Sequence, residues 1–176
     1  MLTPASPPQL QRDRFSRAFQ LLEQAVAQQV FPGAAFSVVH RGALAAAGAV
    51  GHFTYELDSP AVAPNTLYDV ASLTKVVATT AAAMLLYERG SLDLEAPVSA
   101  VLPEFCAATG DARRRRVTFR MLLAHSSGLP GYAPLYQTCD SRAAVIAAAL
   151  ALPLEAEPGE CVQYSDIGFI VLGTAL

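Results

Sequence analysis

The chain has 176 residues, of which 53% are hydrophobic and 15% charged, and its mean hydropathy is +0.35. This composition excludes intrinsic disorder, which needs low hydrophobicity and high net charge, and the length suffices for one domain with its own core. The net charge of −3 gives no reason to expect binding to nucleic acid or to an anionic membrane surface. We therefore expect a globular, helix-rich protein, whose oligomeric state the sequence leaves unknown.

The start of the chain and its cysteines bear on its cellular location. Residues 1–14 hold no apolar stretch of the roughly 7 to 15 residues that a secretory signal requires, so we expect a cytoplasmic protein. A periplasmic or secreted location stays open if the natural start lies elsewhere. The longest apolar runs are about 12 residues, short of the roughly 20 that span a bilayer. The three cysteines are odd in number and lack metal-ligand spacing, which predicts free thiols.

The first third of the chain predicts a helix and then a hairpin. Apolar residues recur at steps of three and four from Phe15 to Val26, which predicts a helix over residues 12–30. Segments 34–39 and 43–50 are small, apolar or β-branched and flank a short turn, so we predict that they pair as antiparallel strands.

After a loop with two prolines, the pattern becomes almost entirely helical. We predict an uninterrupted helix over residues 72–89, and further helices over 118–124, 141–152 and 167–176. The last of these reaches the final residue without a cap or a breaker. The four arginines at 113–116 are interpreted as a solvated loop and not as a nucleic-acid patch, because the chain is otherwise acidic.

Lys75 is the only lysine among twelve basic residues, and this singles it out. Arginine keeps its proton, whereas a partly buried lysine can lose one, so a position that retains lysine suggests proton transfer. Ser72 stands three residues earlier, on the same helical face, and Ser-Lys is a known nucleophile pair. In the first turn, the helix dipole should lower the pKa of Lys75, and free N–H groups should be able to donate to an oxyanion.

Four stretches in order carry a wider resemblance: NTLYDVASLTK, RGSLDLEAPVSAVLPEF, VTFRMLLAHSSGLPGY and EPGECVQYSDIGFIVLG. Over residues 31–176 the chain resembles the serine β-lactamase and penicillin-binding-protein superfamily, closest to its class C β-lactamase, D-alanyl-D-alanine peptidase and esterase branch. Ser72 and Lys75 fall on the S-x-x-K motif. Tyr164 and Asp166 fall where the family carries Tyr-x-Asn.

The resemblance implies a mixed α+β fold with an N-terminal helix, a β-hairpin and a helical region. It also implies a serine acyl hydrolase of ester or amide substrates, with no metal or organic cofactor. Ser72 would be the acylated nucleophile, Lys75 its general-base partner, and Tyr164 a phenol that moves protons to and from the leaving group. Asp166, in place of asparagine, is predicted to lie in the substrate-binding part and to favour protonated Lys75, although a purely structural aspartate stays open.

The third motif of the resemblance, Lys-Thr-Gly or His-x-Gly on a late strand, does not follow Tyr164. His40-Arg41-Gly42 has matching letters, but it precedes Ser72 and lies in the predicted turn. We therefore expect an N-terminal fragment, one incomplete domain made of parts 1–30, 31–64 and 65–176, without the late strands. A non-catalytic acyl- or penicillin-binding sensor is the alternative. His125 is interpreted as part of a turn that ends a helix and not as a catalytic partner of Ser126.

Overall fold

The computed structural model describes residues 13–176, so the predicted helix start at Arg12 and the segment before it lie outside the described residues. The chain divides into two compact units, the first ending at Asp69 and the second spanning Val70–Leu176. The three-part division predicted from the sequence stays a prediction. No helix in the described range is both long and apolar enough to cross a bilayer.

The first unit contains one helix and one hairpin. Helix α1 spans Ser16–Ala27, and strands β1 (Gly33–His40) and β2 (Ala43–Gly51) pair antiparallel. Arg41 and Gly42 join the strands with φ angles of 50° and 76°, the left-handed backbone that tight hairpin turns need. The predicted hairpin is confirmed, and the helix is a little shorter than predicted.

Helix α1 packs on the hairpin through Phe19. Its side chain is buried and meets the Phe36 ring edge to face, with 4.9 Å between centroids. A Cβ atom on Gly48 would lie 2.7 Å from the Phe19 ring, so the absence of a side chain there lets the helix approach the sheet closely. The alanine- and glycine-rich composition of β2 thus sets the spacing of this small core.

The regular elements of the second unit are helices. A π-helical segment, Lys75–Thr80, continues directly into α2, and the α-helices that follow are joined by three short 3₁₀ turns. The α-helices are α2 (Ala81–Glu88), α3 (Glu104–Ala107), α4 (Phe119–Leu123), α5 (Arg142–Ala151) and α6 (Asp166–Ala175). The 3₁₀ turns are Val98–Ala100, Ala112–Arg116 and Leu135–Gln137.

The helix predicted over residues 72–89 is present as one continuous helical stretch from Leu73 to Glu88, but it is not an α-helix throughout. Its segment Lys75–Thr80 has the wider π-helical turn, and Ser72 lies in the turn just before the helix. Four of these six residues are β-branched, and such residues are stiff and have lower helix propensity. π-helical turns are rare and occur often at functional sites. The end of the helix at Gly90, with φ of 67°, is as predicted.

The interpretation of residues 113–116 as a solvated loop is wrong in part. They belong to a 3₁₀ helix, in which Arg115 and Arg116 are exposed as expected, but Arg114 is fully buried. Its guanidinium donates to the carbonyl oxygens of Phe105 and Leu150, each at 2.6 Å, and to that of Leu152. It also lies over the Phe105 ring, 4.6 Å from the centroid. A charge buried this deeply is tolerated because carbonyl oxygens replace water around it.

Helix α6 lies at the centre of the helical core, where it packs against α4, α5 and the π-helical segment. Its residues Ile167, Val171 and Leu172 are almost completely buried. Because α6 begins at Asp166, this core fixes the position of that side chain and of Tyr164 two residues before it.

Candidate active site

Ser72 and Lys75 lie next to each other at the start of the π-helical segment. Lys75 Nζ donates to Ser72 Oγ across 3.2 Å, so the contact expected from the i, i+3 spacing is present. Ala71, directly before Ser72, has a left-handed φ of 44°, which is uncommon for a residue with a side chain. The N–H groups of Leu73 and Thr74 donate to the carbonyls of Val70 and Ala71, so these two expected oxyanion donors are already used.

Asp166 turns its carboxylate toward Lys75. The distance from Lys75 Nζ to Asp166 Oδ1 is 2.6 Å, and the two side chains are 16% and 38% exposed. Burial of the amine lowers the pKa of Lys75, but hydrogen bonding to Asp166 and Tyr164 outweighs it, and the pKa is raised above its ordinary value. The net lowering expected from the helix dipole is therefore absent, and the direction is the one expected from Asp166. The carboxylate is closer to the amine and stronger than the dipole.

Tyr164 completes the group from the other side of Lys75. Lys75 Nζ lies 4.9 Å from the centroid of its ring, within cation–π distance. Hydrogen bonding to Ser72 and to Lys75 lowers the pKa of the Tyr164 phenol from its ordinary value. Tyr164 is 54% exposed, so it is not a core tyrosine. The structure thus brings all four residues predicted from the sequence together.

The short segment 163–166, which carries Tyr164 and Asp166, is fixed to the loop that follows α4. Ser165 is buried, and its hydroxyl donates to Pro130 O at 2.6 Å while it accepts from Gly168 N at 2.8 Å, which caps α6. Asp166 N donates to Gly131 O at 2.8 Å. A Ser at the first cap position of a helix is favoured because it satisfies a free N–H group. A serine just before the apolar run of α6 is a helix-start signal that the sequence does contain.

The sequence interpretation missed the proximity of His125 to this site. As predicted, His125 lies in the turn that ends α4, with a left-handed φ of 57°. Its ring also lies 4.6 Å from the Tyr164 ring and 5.0 Å from the Phe169 ring, between centroids. Nothing in the local sequence pattern could indicate this contact, because it joins residues about 40 positions apart.

Ser72, Lys75 and Asp166 open on a groove in the second unit of about 400 Å³, which apolar side chains line as well as polar ones. The residues that line it include Ser72, Lys75, Thr79, Asp166, Phe169 and Ile170. Among residues 13–176, no three His, Cys, Asp or Glu side chains come together in a group able to hold a metal ion.

Residues 18–176 match the Beta-lactamase family. The chain belongs to the beta-lactamase family. Its relatives include an N-acetylmuramyl-L-alanine amidase of Bacillus subtilis (strain 168), which is 33% identical over 184 residues. That match covers 96% of this chain and 42% of the amidase. The chain thus spans less than half the length of this curated relative.

Solved structures of the family share the fold. EstCE1, a hydrolase with promiscuous acyltransferase activity, superposes with a TM-score of 0.76 at 27% identity, over 94% of this chain and 47% of that one. A class C beta-lactamase superposes with a TM-score of 0.73 at 24% identity, over 98% of this chain and 45% of that one. The beta-lactamase family membership and the mixed α+β fold expected from the motifs are therefore confirmed. The named relatives are hydrolases, so this is a family of hydrolases.

Proposed function

We propose that the protein is a serine acyl hydrolase of ester or amide substrates that works through an acyl-enzyme on Ser72. The observation that carries the proposal is the position of Lys75. Its amine lies 3.2 Å from Ser72 Oγ, 2.6 Å from Asp166 Oδ1 and 4.9 Å from the Tyr164 ring centroid. The Lys75 ammonium thus contacts the proposed nucleophile Ser72, the carboxylate of Asp166 and the Tyr164 phenol, whose pKa is lowered.

These pKa directions divide the acid–base roles differently from the sequence expectation. Lys75, with a raised pKa, is the cation, and Tyr164, with a lowered pKa, is the better base at neutral pH. In acylation, Tyr164 Oη takes the Ser72 hydroxyl proton as Ser72 Oγ bonds to the substrate carbonyl carbon. The tetrahedral intermediate collapses, the bond to the leaving group breaks, and that group takes the proton from Tyr164.

Deacylation reverses these transfers with water. Tyr164 Oη takes a proton from the water molecule as its oxygen bonds to the acyl carbon. The bond to Ser72 Oγ then breaks, Ser72 takes the proton back from Tyr164, and the acid leaves. Lys75 stays protonated throughout and stabilises the phenolate, with Asp166 as its counter-ion.

The test is hydrolysis of p-nitrophenyl acetate by the purified protein and by Ser72→Ala and Lys75→Arg. We expect turnover by the wild type, none above background for Ser72→Ala, and a strong loss for Lys75→Arg, because the longer planar guanidinium cannot occupy the same position. Intact-mass analysis should detect an acetylated wild type and no acetylated Ser72→Ala. Equal rates in all three proteins would refute the proposal.

The second candidate is an acyl- or penicillin-binding sensor that is acylated without turnover. The Lys75 to Asp166 ion pair favours it, because it removes Lys75 as a proton acceptor and leaves the activation of water in deacylation to Tyr164 alone. A single stoichiometric burst of p-nitrophenol with a stable acyl adduct on Ser72 would identify the sensor. Continued release after the burst would identify the hydrolase.

A further inference from the structure

His125 holds an imidazole in a backbone position that favours glycine. It follows Ala124, the C-cap residue of α4, with φ of 57°, and His125 N and Ser126 N donate back to the carbonyls of Leu122 and Met121 at 3.2 and 2.8 Å. This pair of bonds is the Schellman end of a helix, where glycine is the usual left-handed residue. The left-handed backbone is unfavourable for a residue with a side chain, so the contacts of His125 must compensate for this conformational cost.

Those contacts fix the backbone on both sides of Tyr164. Gln163 N donates to the His125 carbonyl at 2.8 Å, and Ser165 N donates to His125 Nδ1 at 3.0 Å. The residues before and after Tyr164 are therefore bound to the same residue. The imidazole also lies against the Tyr164 ring, with 4.6 Å between centroids and 36° between planes. Tyr164 is thus constrained both in its backbone and in the plane of its ring.

The imidazole must be neutral to do this. Nδ1 can accept from Ser165 N only without a proton, so the ring proton lies on Nε2. Burial and the nearby charge of Lys75 lower the pKa of His125, and the charge of Asp166 acts in the opposite direction. The neutral ring also adds no second cation beside Lys75.

We propose that His125 is a positioning residue for the proton transfer, in which its imidazole and its carbonyl hold Tyr164 in place against Ser72 and Lys75. This inference rests on the proposed hydrolase function, in which Tyr164 moves the proton. A base displaced by about 1 Å can cost roughly 100-fold in rate, so the contact should affect kcat much more than KM.

Three variants test the inference. His125→Gly removes the ring and the Nδ1 acceptor but suits the left-handed backbone, so we expect it to fold. His125→Asn also suits this backbone and keeps an acceptor oxygen for Ser165 N, but it has no ring. Arg41→Gly is the matched control, because it relieves the same kind of left-handed backbone at φ of 50° in the hairpin turn.

Two readouts are needed, kcat and KM on p-nitrophenyl acetate and the titration of the Tyr164 phenol. The phenolate absorbance of Tyr164 is obtained as the difference between each protein and the same protein with Tyr164→Phe. We expect His125→Gly to lower kcat about 100-fold with little change in KM, and to raise the Tyr164 pKa toward its ordinary value. His125→Asn should lie between His125→Gly and the wild type, and Arg41→Gly should match the wild type.

The titration needs no substrate, so it separates this inference from the proposed function. An inactive wild type would refute the hydrolase, while a shifted Tyr164 titration in His125→Gly would still support the positioning role. Folded His125→Gly and His125→Asn with an unchanged Tyr164 titration would refute the positioning role, whatever the activity. If His125→Gly does not fold, His125→Asn decides in the same way.

Discussion

Lys75 Nζ lies 2.6 Å from Asp166 Oδ1, and this ion pair sets the charge distribution of the whole candidate site. Lys75 does not readily serve as a base, because the negative carboxylate stabilises its protonated form. Hydrogen bonding from Ser72 and Lys75 lowers the pKa of Tyr164, so in the proposed mechanism the phenol is the base. In the proposed mechanism, the carboxylate at position 166, where the resemblance implies an amide, therefore keeps Lys75 protonated and leaves the proton transfer to Tyr164.

The single lysine makes this ion pair directly measurable. In protein labelled with ¹³C-lysine, one side-chain signal reports the titration of Lys75. We expect Asp166→Asn to lower its titration midpoint, because a neutral amide no longer stabilises the ammonium while burial still opposes the charge. Glu95→Gln is the control, since Glu95 pairs with Arg120 and should leave the midpoint unchanged. Identical midpoints in the wild type and Asp166→Asn would contradict the assignment.

The hydrolysis rate should rise with pH as Tyr164 loses its proton. The Tyr164 pKa is lowered, so the midpoint of this rising limb of the pH profile should lie below the ordinary tyrosine pKa of about 10. The rate should fall again when Lys75, with its raised pKa, is deprotonated and no longer stabilises the phenolate. We expect Tyr164→Phe to lower kcat by about 10²- to 10⁴-fold and to remove the rising limb. The check is the pH profile of kcat, with the exposed Tyr87→Phe as control, and a rising limb that survives in Tyr164→Phe would assign the base elsewhere.

The sequence predicts the elements whose cause is local. The hairpin follows from a turn flanked by small and β-branched residues, and the contact of Ser72 with Lys75 follows from their spacing of three. The burial of Arg114 could not be predicted, because four identical arginines in a row carry no signal for which of them points inward. The contact of His125 with Tyr164 depends on how α4 and α6 pack, and no periodicity encodes that packing.

Arg114 should be a major stabilising residue of the second unit. In Arg114→Lys, a single amine replaces the guanidinium and cannot reach the carbonyls of Phe105, Leu150 and Leu152 together. Buried acceptors are then left unsatisfied. We expect the free energy of unfolding to fall by about 3 kcal/mol, since each unsatisfied buried group costs about 1 to 3 kcal/mol. The measurement is urea unfolding, in which the neighbouring exposed Arg115→Lys should stay within about 0.5 kcal/mol of the wild type. Equal losses in the two variants would contradict a stabilising role for the three carbonyl hydrogen bonds of Arg114.

Ser165 should couple the stability of α6 to the rate of the reaction. Its buried hydroxyl bonds Gly168 N and Pro130 O, and it separates Tyr164 from Asp166 in the chain. We expect Ser165→Ala to cost about 2 kcal/mol, because it removes a helix cap and leaves a buried carbonyl without its donor. We also expect a lower kcat, because both neighbouring side chains lose their support.

Ser141→Ala is the matched control for Ser165→Ala. Ser141 caps α5 through Ala144 N in the same way, but it is exposed and lies outside the groove. Ser141→Ala should lower the free energy of unfolding by about 1 kcal/mol and leave kcat unchanged. Urea unfolding and hydrolysis of p-nitrophenyl acetate, measured on both variants, separate the two effects. If Ser165→Ala lost stability but kept the wild-type kcat, the cap would support the fold without positioning Tyr164 and Asp166.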